Sequence, residues 1–125
     1  YAMSNAIAVL DAARERVPED RMAAVFGRIS FFVNAGVRFV EEHAKLRAMV
    51  ILWEELGRER YGVTDAKLRR FRYGVQVNSL GLTAQEPENN AWRIFAEALG
   101  VTLSANALRQ SCQSVAAGAW RKGSE

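Results

Sequence analysis

Two short β-prone runs hold most of the side chains that could do chemistry. In Arg28-Ile29-Ser30-Phe31-Phe32-Val33-Asn34, Arg28 and Ser30 stand two apart and project to one side of a strand. In Phe71-Arg72-Tyr73-Gly74-Val75-Gln76-Val77-Asn78, the same alternation puts Arg72, Gly74 and Gln76 on one face. A guanidinium, a hydroxyl or an amide buried without a partner costs several kcal/mol, roughly 2 to 7. Polar residues on such strands therefore line a ligand site, pair with one another, or lie on an exposed edge.

The remaining reactive types are solitary. His43 is the one histidine and Cys112 the one cysteine, neither with a neighbour in sequence that would activate it. His43 reads as a packing or surface residue. A disulfide framework is excluded, a closed zinc site lacks its four ligands, and no metal site is expected. The run Lys67-Leu68-Arg69-Arg70-Phe71-Arg72-Tyr73 interleaves four cations with two aromatic rings, as a phosphate groove with stacking platforms would. No nucleic-acid module accompanies it, and a net charge of +3 is too mild to demand that partner. The glycines do not fall into a dinucleotide or P-loop spacing.

These residues sit in a chain of 125, 50% hydrophobic and 25% charged, which is the composition of one globular domain. No apolar stretch approaches the ~18 residues of a membrane helix, so no membrane partner is expected. The first residues, Tyr1-Ala2-Met3-Ser4, show no basic region of the kind that opens a signal peptide, and a cytoplasmic location is the default expectation.

Ile7, Leu10, Ala13 and Val17 predict a helix closed by Pro18, and Glu19 to Phe26 a second one ending at Gly27 in a left-handed turn. The first strand follows. Val37 to Leu56 is a long helix with Phe39, His43, Leu46, Val50 and Trp53 inward and Glu41 and Lys45 paired outside. Thr64 can cap a short helix to Arg70 before the second strand. Thr83 and Glu86 are spaced as a capping box for a helix that carries Trp92, Phe95 and Leu99 and ends near Gly100. Leu108 to Ala117 can be helical, and no further strand is recognisable there. Strands separated by full helices pair in parallel, which makes this an α/β chain, helix-rich with about two strands. Two strands cannot cover their helices, so the layout is that of part of a larger α/β architecture.

Arg28-Ile29-Ser30-Phe31-Phe32, then Glu42-His43-Ala44-Lys45-Leu46-Arg47-Ala48 with Leu52-Trp53, then Leu82-Thr83-Ala84-Gln85 with Asn89-Asn90 and Arg93, resemble the substrate-binding barrel of adenosylcobalamin-dependent acyl-CoA mutases, the methylmalonyl-CoA mutase family. The stretch Arg72 to Gly81 is most similar to the ethylmalonyl-CoA mutase branch, with Gly74 where methylmalonyl enzymes carry His. The resemblance implies a partial (β/α)8 barrel: residues 1-106 a central portion, 107-125 a divergent tail that departs from the family at Ala107. It implies that Arg28, Ser30 and Phe32 contact the CoA part of the substrate. Gly74 would leave room for a longer acyl branch, Gln76 would bond the acyl group beneath the cobalamin ring, and Gln76 with Ser79 would face that cofactor.

The resemblance implies carbon-skeleton isomerisation of ethylmalonyl-CoA or methylmalonyl-CoA, with adenosylcobalamin in the parent enzyme. The family's Tyr/His pair and its cobalamin domain have no counterpart here, so the isolated chain is expected to be inactive and without cofactor. Its expected partners are an acyl-CoA thioester, the remainder of the mutase or a cobalamin-binding domain, and further copies of itself, through self-association or a rearranged, more helical packing. The rival expectation is a scaffold module whose 67–72 stretch meets an acidic partner.

Overall fold

A computed structural model describes residues 1–104 and 115–116. The element order is α1 (Ala2–Arg14), α2 (Glu19–Phe26), β1 (Phe31–Ala35), α3 (Phe39–Glu59), β2 (Tyr73–Val77), a 3-10 turn (Ser79–Gly81), α4 (Pro87–Thr102) and β3 (Val115–Ala116). The strands form one sheet in the order β1-β2-β3. Phe31 N–H donates to the Arg72 carbonyl at 2.9 Å, and further along Asn78 N–H donates to the Ala35 carbonyl at 2.8 Å, so β1 and β2 ascend together. β3 pairs parallel with β2 in the register Val75 to Val115 and Gln76 to Ala116. The chain is thus a helix-rich α/β protein with parallel strands. It divides into two units, one of Tyr1–Phe31 with Arg47–Tyr73 and one of Phe32–Leu46 with Gly74–Glu125.

The first unit is held by aromatic rings. Phe26 stacks on Trp53 at 4.3 Å, Phe31 meets Trp53 edge-on at 4.8 Å, and Phe31 lies 4.7 Å from Phe71. Phe26 and Trp53 are fully buried. Rings of this size contribute the largest apolar areas a side chain can bury, with about 0.5–1.5 kcal/mol more for favourable pair geometry. Gly57, expected to end α3, lies inside it: a Cβ there would stand 2.8 Å from Phe26 Cζ, so the residue is small to admit the ring. Gly27 likewise caps α2 with right-handed φ −66, not left-handed; a Cβ there would meet Leu68 Cδ2 at 2.7 Å. The left-handed residue is Gly62, at φ 63, where the chain turns after α3.

Four local expectations are corrected. β1 starts at Phe31 rather than Arg28, because Arg28 and Ile29 N–H groups donate to Val25 and Phe26 carbonyls and prolong the turn of α2. No helix forms over 64–70; Asp65 organises a turn instead, its carboxylate accepting Lys67 N–H at 2.8 Å. Glu41 pairs with Arg38, and Lys45 with Glu42, each three residues apart, rather than with each other. The capping box at Thr83 is not made: α4 begins at Pro87, and Asn90 ties Thr83 by accepting its N–H at 3.1 Å and donating to its carbonyl at 2.8 Å. Leu108 to Ala117 holds a strand at Val115–Ala116, while 108–114 and 117, like Cys112, lie outside the described residues.

In the first unit α1 is pinned to the turn after α3. Tyr61 Oη bonds Asp11 Oδ1 at 2.9 Å, and Arg60 donates to Asp11 Oδ2 at 2.7 Å. These bonds, Arg60's first, hold the Asp11 carboxyl below the ordinary carboxylate range. A group depressed on folding stabilises at pH values above that range and loses the contribution as pH falls through it. Asp11→Asn is therefore expected to lower the thermal midpoint at pH 7 and to converge with the wild type as pH falls through the lowered Asp11 value, measured by circular dichroism. Gly57→Ala is expected to destabilise by about 1–3 kcal/mol in urea unfolding, because its methyl group overpacks Phe26.

Candidate functional site

Burial along β1 alternates: Phe31, Val33 and Ala35 are inside, Phe32 and Asn34 outside. On β2, Val75 and Val77 are buried while Gly74 and Gln76 are half-buried. In the second unit the result is a face bearing Phe32, Asn34, Gly74 and Gln76, opposite the face of buried aliphatic residues. Phe32 is 66% exposed, and its Cδ2 lies 3.2 Å from where a Cβ on Gly74 would stand. The ring thus rests on the bare backbone of the neighbouring strand, on the face that Gln76 shares two residues on. An aromatic plate beside a primary amide can seat an apolar group and hydrogen-bond a carbonyl attached to it.

Of the residues singled out in the sequence, Phe32, Gly74 and Gln76 share that face. Arg28 and Ser30 belong to the first unit, both exposed, in the segment leading into β1. The Ser79 side chain lies outside the described residues. Asn34 is a member that sequence reasoning passed over; its place two residues after Phe32 was the available signal. Its carbonyl accepts a 2.7 Å bond from Lys45, which fixes the end of β1 to α3. Asn78 is committed to the following turn, its Oδ1 accepting Leu80 N–H at 2.9 Å.

His43 is half-buried, stacks on Phe39 at 6.2 Å, and has a buried Nδ1 with no hydrogen bond among the described residues. No described group of three His, Cys, Asp or Glu side chains could hold a metal ion, and no described helix is long and apolar enough to cross a membrane. Helix α4 forms where the sequence places it and carries Trp92 and Phe95 as expected. Trp92 and Phe95 are exposed, whereas Glu97, Gly100 and Val101 are buried, Gly100 where a Cβ would come 3.4 Å from the Phe39 ring.

A segment of parallel strands joined through helices belongs to the α/β class of proteins. The methylmalonyl-CoA mutase family profile matches residues 1–114. The chain is 58% identical over 113 residues to ethylmalonyl-CoA mutase of Cereibacter sphaeroides, covering 90% of this chain and 17% of that protein. It is 59% identical over 115 residues to ethylmalonyl-CoA mutase of Methylorubrum extorquens, with the same coverage. Identity to the methylmalonyl-CoA mutase large subunit of Propionibacterium freudenreichii subsp. shermanii is 39% over 75 residues, 60% of this chain and 10% of that protein. The chain belongs to the methylmalonyl-CoA mutase family, and it spans about a sixth of the length of the ethylmalonyl-CoA mutases it matches.

Glu97 is 1% exposed and neither carboxyl oxygen has a hydrogen bond among the described residues. Burial, reinforced by the charge of Glu42, pushes its carboxyl above the ordinary range. The folded form therefore holds its proton longer than the unfolded one; that relative stability is complete below the ordinary carboxylate range and lost as pH rises through the raised value. Glu97→Gln is expected to remove this loss, so that stability measured by urea unfolding between pH 5 and 8 falls less steeply than in the wild type.

Proposed function

We propose that this chain is a central portion of the substrate-binding (β/α)8 barrel of a cobalamin-dependent acyl-CoA mutase, with residues 1-106 forming barrel and 107-125 a divergent tail. The observation that carries the reading is the Phe32 ring resting on Gly74 beside Gln76, on the sheet face left open, in a chain close in sequence to ethylmalonyl-CoA mutases. On closing into a barrel, that face becomes the interior, where an inward ladder of side chains meets the ligand.

The roles follow from the chemistry of each group. Arg28 offers a fixed fork of charged donors to a phosphate of the CoA ester, and Ser30 a hydroxyl beside it. Phe32 forms an apolar wall for the thioester chain. Gly74 removes bulk that would shorten the acyl branch, a discrimination worth about 1–3 kcal/mol per methylene, which favours ethylmalonyl-CoA over methylmalonyl-CoA. Gln76 donates to the acyl oxygen and holds the reacting carbon in place while the barrel excludes water.

Adenosylcobalamin, bound to the parent enzyme, supplies the radical by homolysis of its cobalt–carbon bond. The donors present fit its periphery, not its metal. The Gln76 amide, with the Ser79 hydroxyl, can bond the amide-rich rim of the corrin, whereas His43 is stacked on Phe39 and half-buried. The cofactor is held chiefly by a domain elsewhere in a cytoplasmic enzyme. The chain alone carries no catalysis and no cofactor, and exposed Phe32, Trp92 and Phe95 promote its self-association.

The test is complementation. This chain is mixed with polypeptides supplying the remaining barrel strands and the cobalamin domain, and acyl-CoA isomerisation is followed with adenosylcobalamin added. No turnover is expected from the chain alone, and ethylmalonyl-CoA turnover from the assembly. Gln76→Ala is expected to lower kcat by roughly 100-fold, the usual order for removing one positioned donor. An assembly that forms by sedimentation yet neither binds nor turns over any acyl-CoA defeats the reading.

A further inference from the structure

Two primary amides of the second unit lie on neighbouring strands, and neither is spent. The Asn78 N–H bond to the Ala35 carbonyl at 2.8 Å and the seat of Phe32 on Gly74 fix one register for the parallel pair, with Phe32 opposite Gly74 and Asn34 opposite Gln76. Adjacent strands run about 4.8 Å apart, and both amides project to the open face, Asn34 exposed and Gln76 half-buried. The 2.7 Å bond from Lys45 takes the backbone carbonyl of Asn34, and no hydrogen bond among the described residues uses either side-chain amide. Asn78, Asn89 and Asn90 differ: their amides are spent on Leu80 N–H, on Glu86 and on the Thr83 backbone.

Asparagine is depleted from strands, where its short amide competes with the ladder. On β1 it stands second from the end, as Gln76 does on β2. Parallel α/β proteins meet their ligands at the carboxyl ends of the strands. One row earlier, the same face offers the Phe32 ring and the bare backbone of Gly74. The uncommitted hydrogen-bonding capacity of this part of the face is therefore concentrated at Asn34 and Gln76, at the end where a ligand is met.

We infer that Asn34 is a second substrate-contacting residue, its Nδ2 joining Gln76 Nε2 in a two-donor grip on the acyl oxygens of an acyl-CoA thioester. This rests on the acyl-CoA reading above and adds to it a residue that the family resemblance did not supply. A primary amide donates two N–H groups and a carbonyl oxygen accepts two bonds. Amides on neighbouring strands can each turn one N–H to a single oxygen, or one to each oxygen of a carboxylate. A lone glutamine holds an oxygen from one direction, whereas two donors from separate strands fix its position. A thioester carbonyl and a malonyl-type carboxylate both present such oxygens, and the carboxylate forms the stronger, charge-assisted bonds.

Nitrogen-15 NMR of the whole chain tests this at the atoms named. The side-chain amide resonances of Asn34 and Gln76 are assigned by their loss in Asn34→Ala and Gln76→Ala, and ethylmalonyl-CoA, butyryl-CoA or coenzyme A is titrated in. Both sets of resonances are expected to move with ethylmalonyl-CoA and to stay with coenzyme A, which has no acyl group. The Asn89 amide, bonded to Glu86, is expected to stay throughout. Movement with butyryl-CoA as well assigns the grip to the thioester oxygen, and movement with ethylmalonyl-CoA alone to the carboxylate; each supports the pair. Asn34→Asp keeps the shape, removes the donor and adds a negative charge. It is expected to raise the dissociation constant for ethylmalonyl-CoA by roughly tenfold or more and to leave that for coenzyme A unchanged, while Asn34→Gln recovers part of the loss; unchanged circular dichroism confirms folding of every variant. Ligand-induced shifts that spare Asn34 or Gln76, or that are as large with coenzyme A, overturn the shared grip and leave the acyl-CoA reading standing. Equal weakening of ethylmalonyl-CoA and coenzyme A by Asn34→Asp, or no weakening of either, does the same. A spectrum untouched by all three CoA compounds defeats the acyl-CoA reading itself.

Discussion

The seat of Phe31 against Trp53 and Phe71 is the constraint on which the orientation of β1 depends. Successive side chains of a strand point to opposite faces, and a slip of one residue would exchange them all. Phe31 is buried, edge-on to an indole that is itself stacked on Phe26. Phe32 must then face the other way. Exchanging the two would place Phe32 and Asn34 among aliphatic residues and expose Val33 and Ala35, which removes apolar burial and leaves an unpartnered amide inside. The aromatic cluster therefore decides which residues of β1 a ligand could reach. Its strength is evident from what it tolerates, since Trp53 Nε1 is buried with no acceptor among the described residues, a loss on the order of 1–3 kcal/mol.

Glycine serves this arrangement mainly through volume. Gly27 and Gly57 both have ordinary helical surroundings, and each is small because another side chain occupies the space of a Cβ. Gly74 belongs with them in the second unit: it is the strand residue on which Phe32 lies. Among the described residues only Gly62 uses the left-handed conformation. A glycine read from sequence signals either need, and the two are indistinguishable until the neighbour is known. That is why α3 passes through Gly57 and α4 through Gly100, where both glycines looked like helix ends.

The periodic features were legible for the same physical reason that local geometry is cheap to encode. The inward row Leu46 and Trp53 of α3, the span Glu19–Phe26 of α2, and the sharing of one face by Gly74 and Gln76 all follow from fixed backbone repeats. What failed depended on competition between partners. Thr83 has a capping side chain, yet Asn90 ties its backbone away from the helix. Asp65 took the turn that Thr64 could have capped. Arg28 fell outside β1 because carbonyls of α2 claimed its N–H and that of Ile29. Each outcome was set by a hydrogen-bond partner that pattern alone does not rank. The substrate roles came from family resemblance, since spacing alone left site-lining and edge exposure as equals.

The two faces of helix α4 are informative. Trp92 and Phe95 form an exposed edge-to-face pair, while Glu97, three residues before Gly100, lies buried near the charge of Glu42. A helix in a self-sufficient domain turns its aromatic stripe inward and its carboxylates out. Here the aromatic stripe is the exposed one and the carboxylate the buried one. Glu97 is buried with neither carboxyl oxygen hydrogen-bonded among the described residues. The amphipathic pattern of α4 thus has two faces, a buried one at Glu97, Gly100 and Val101 and an exposed aromatic one at Trp92 and Phe95, and the stronger apolar signal belongs to the second.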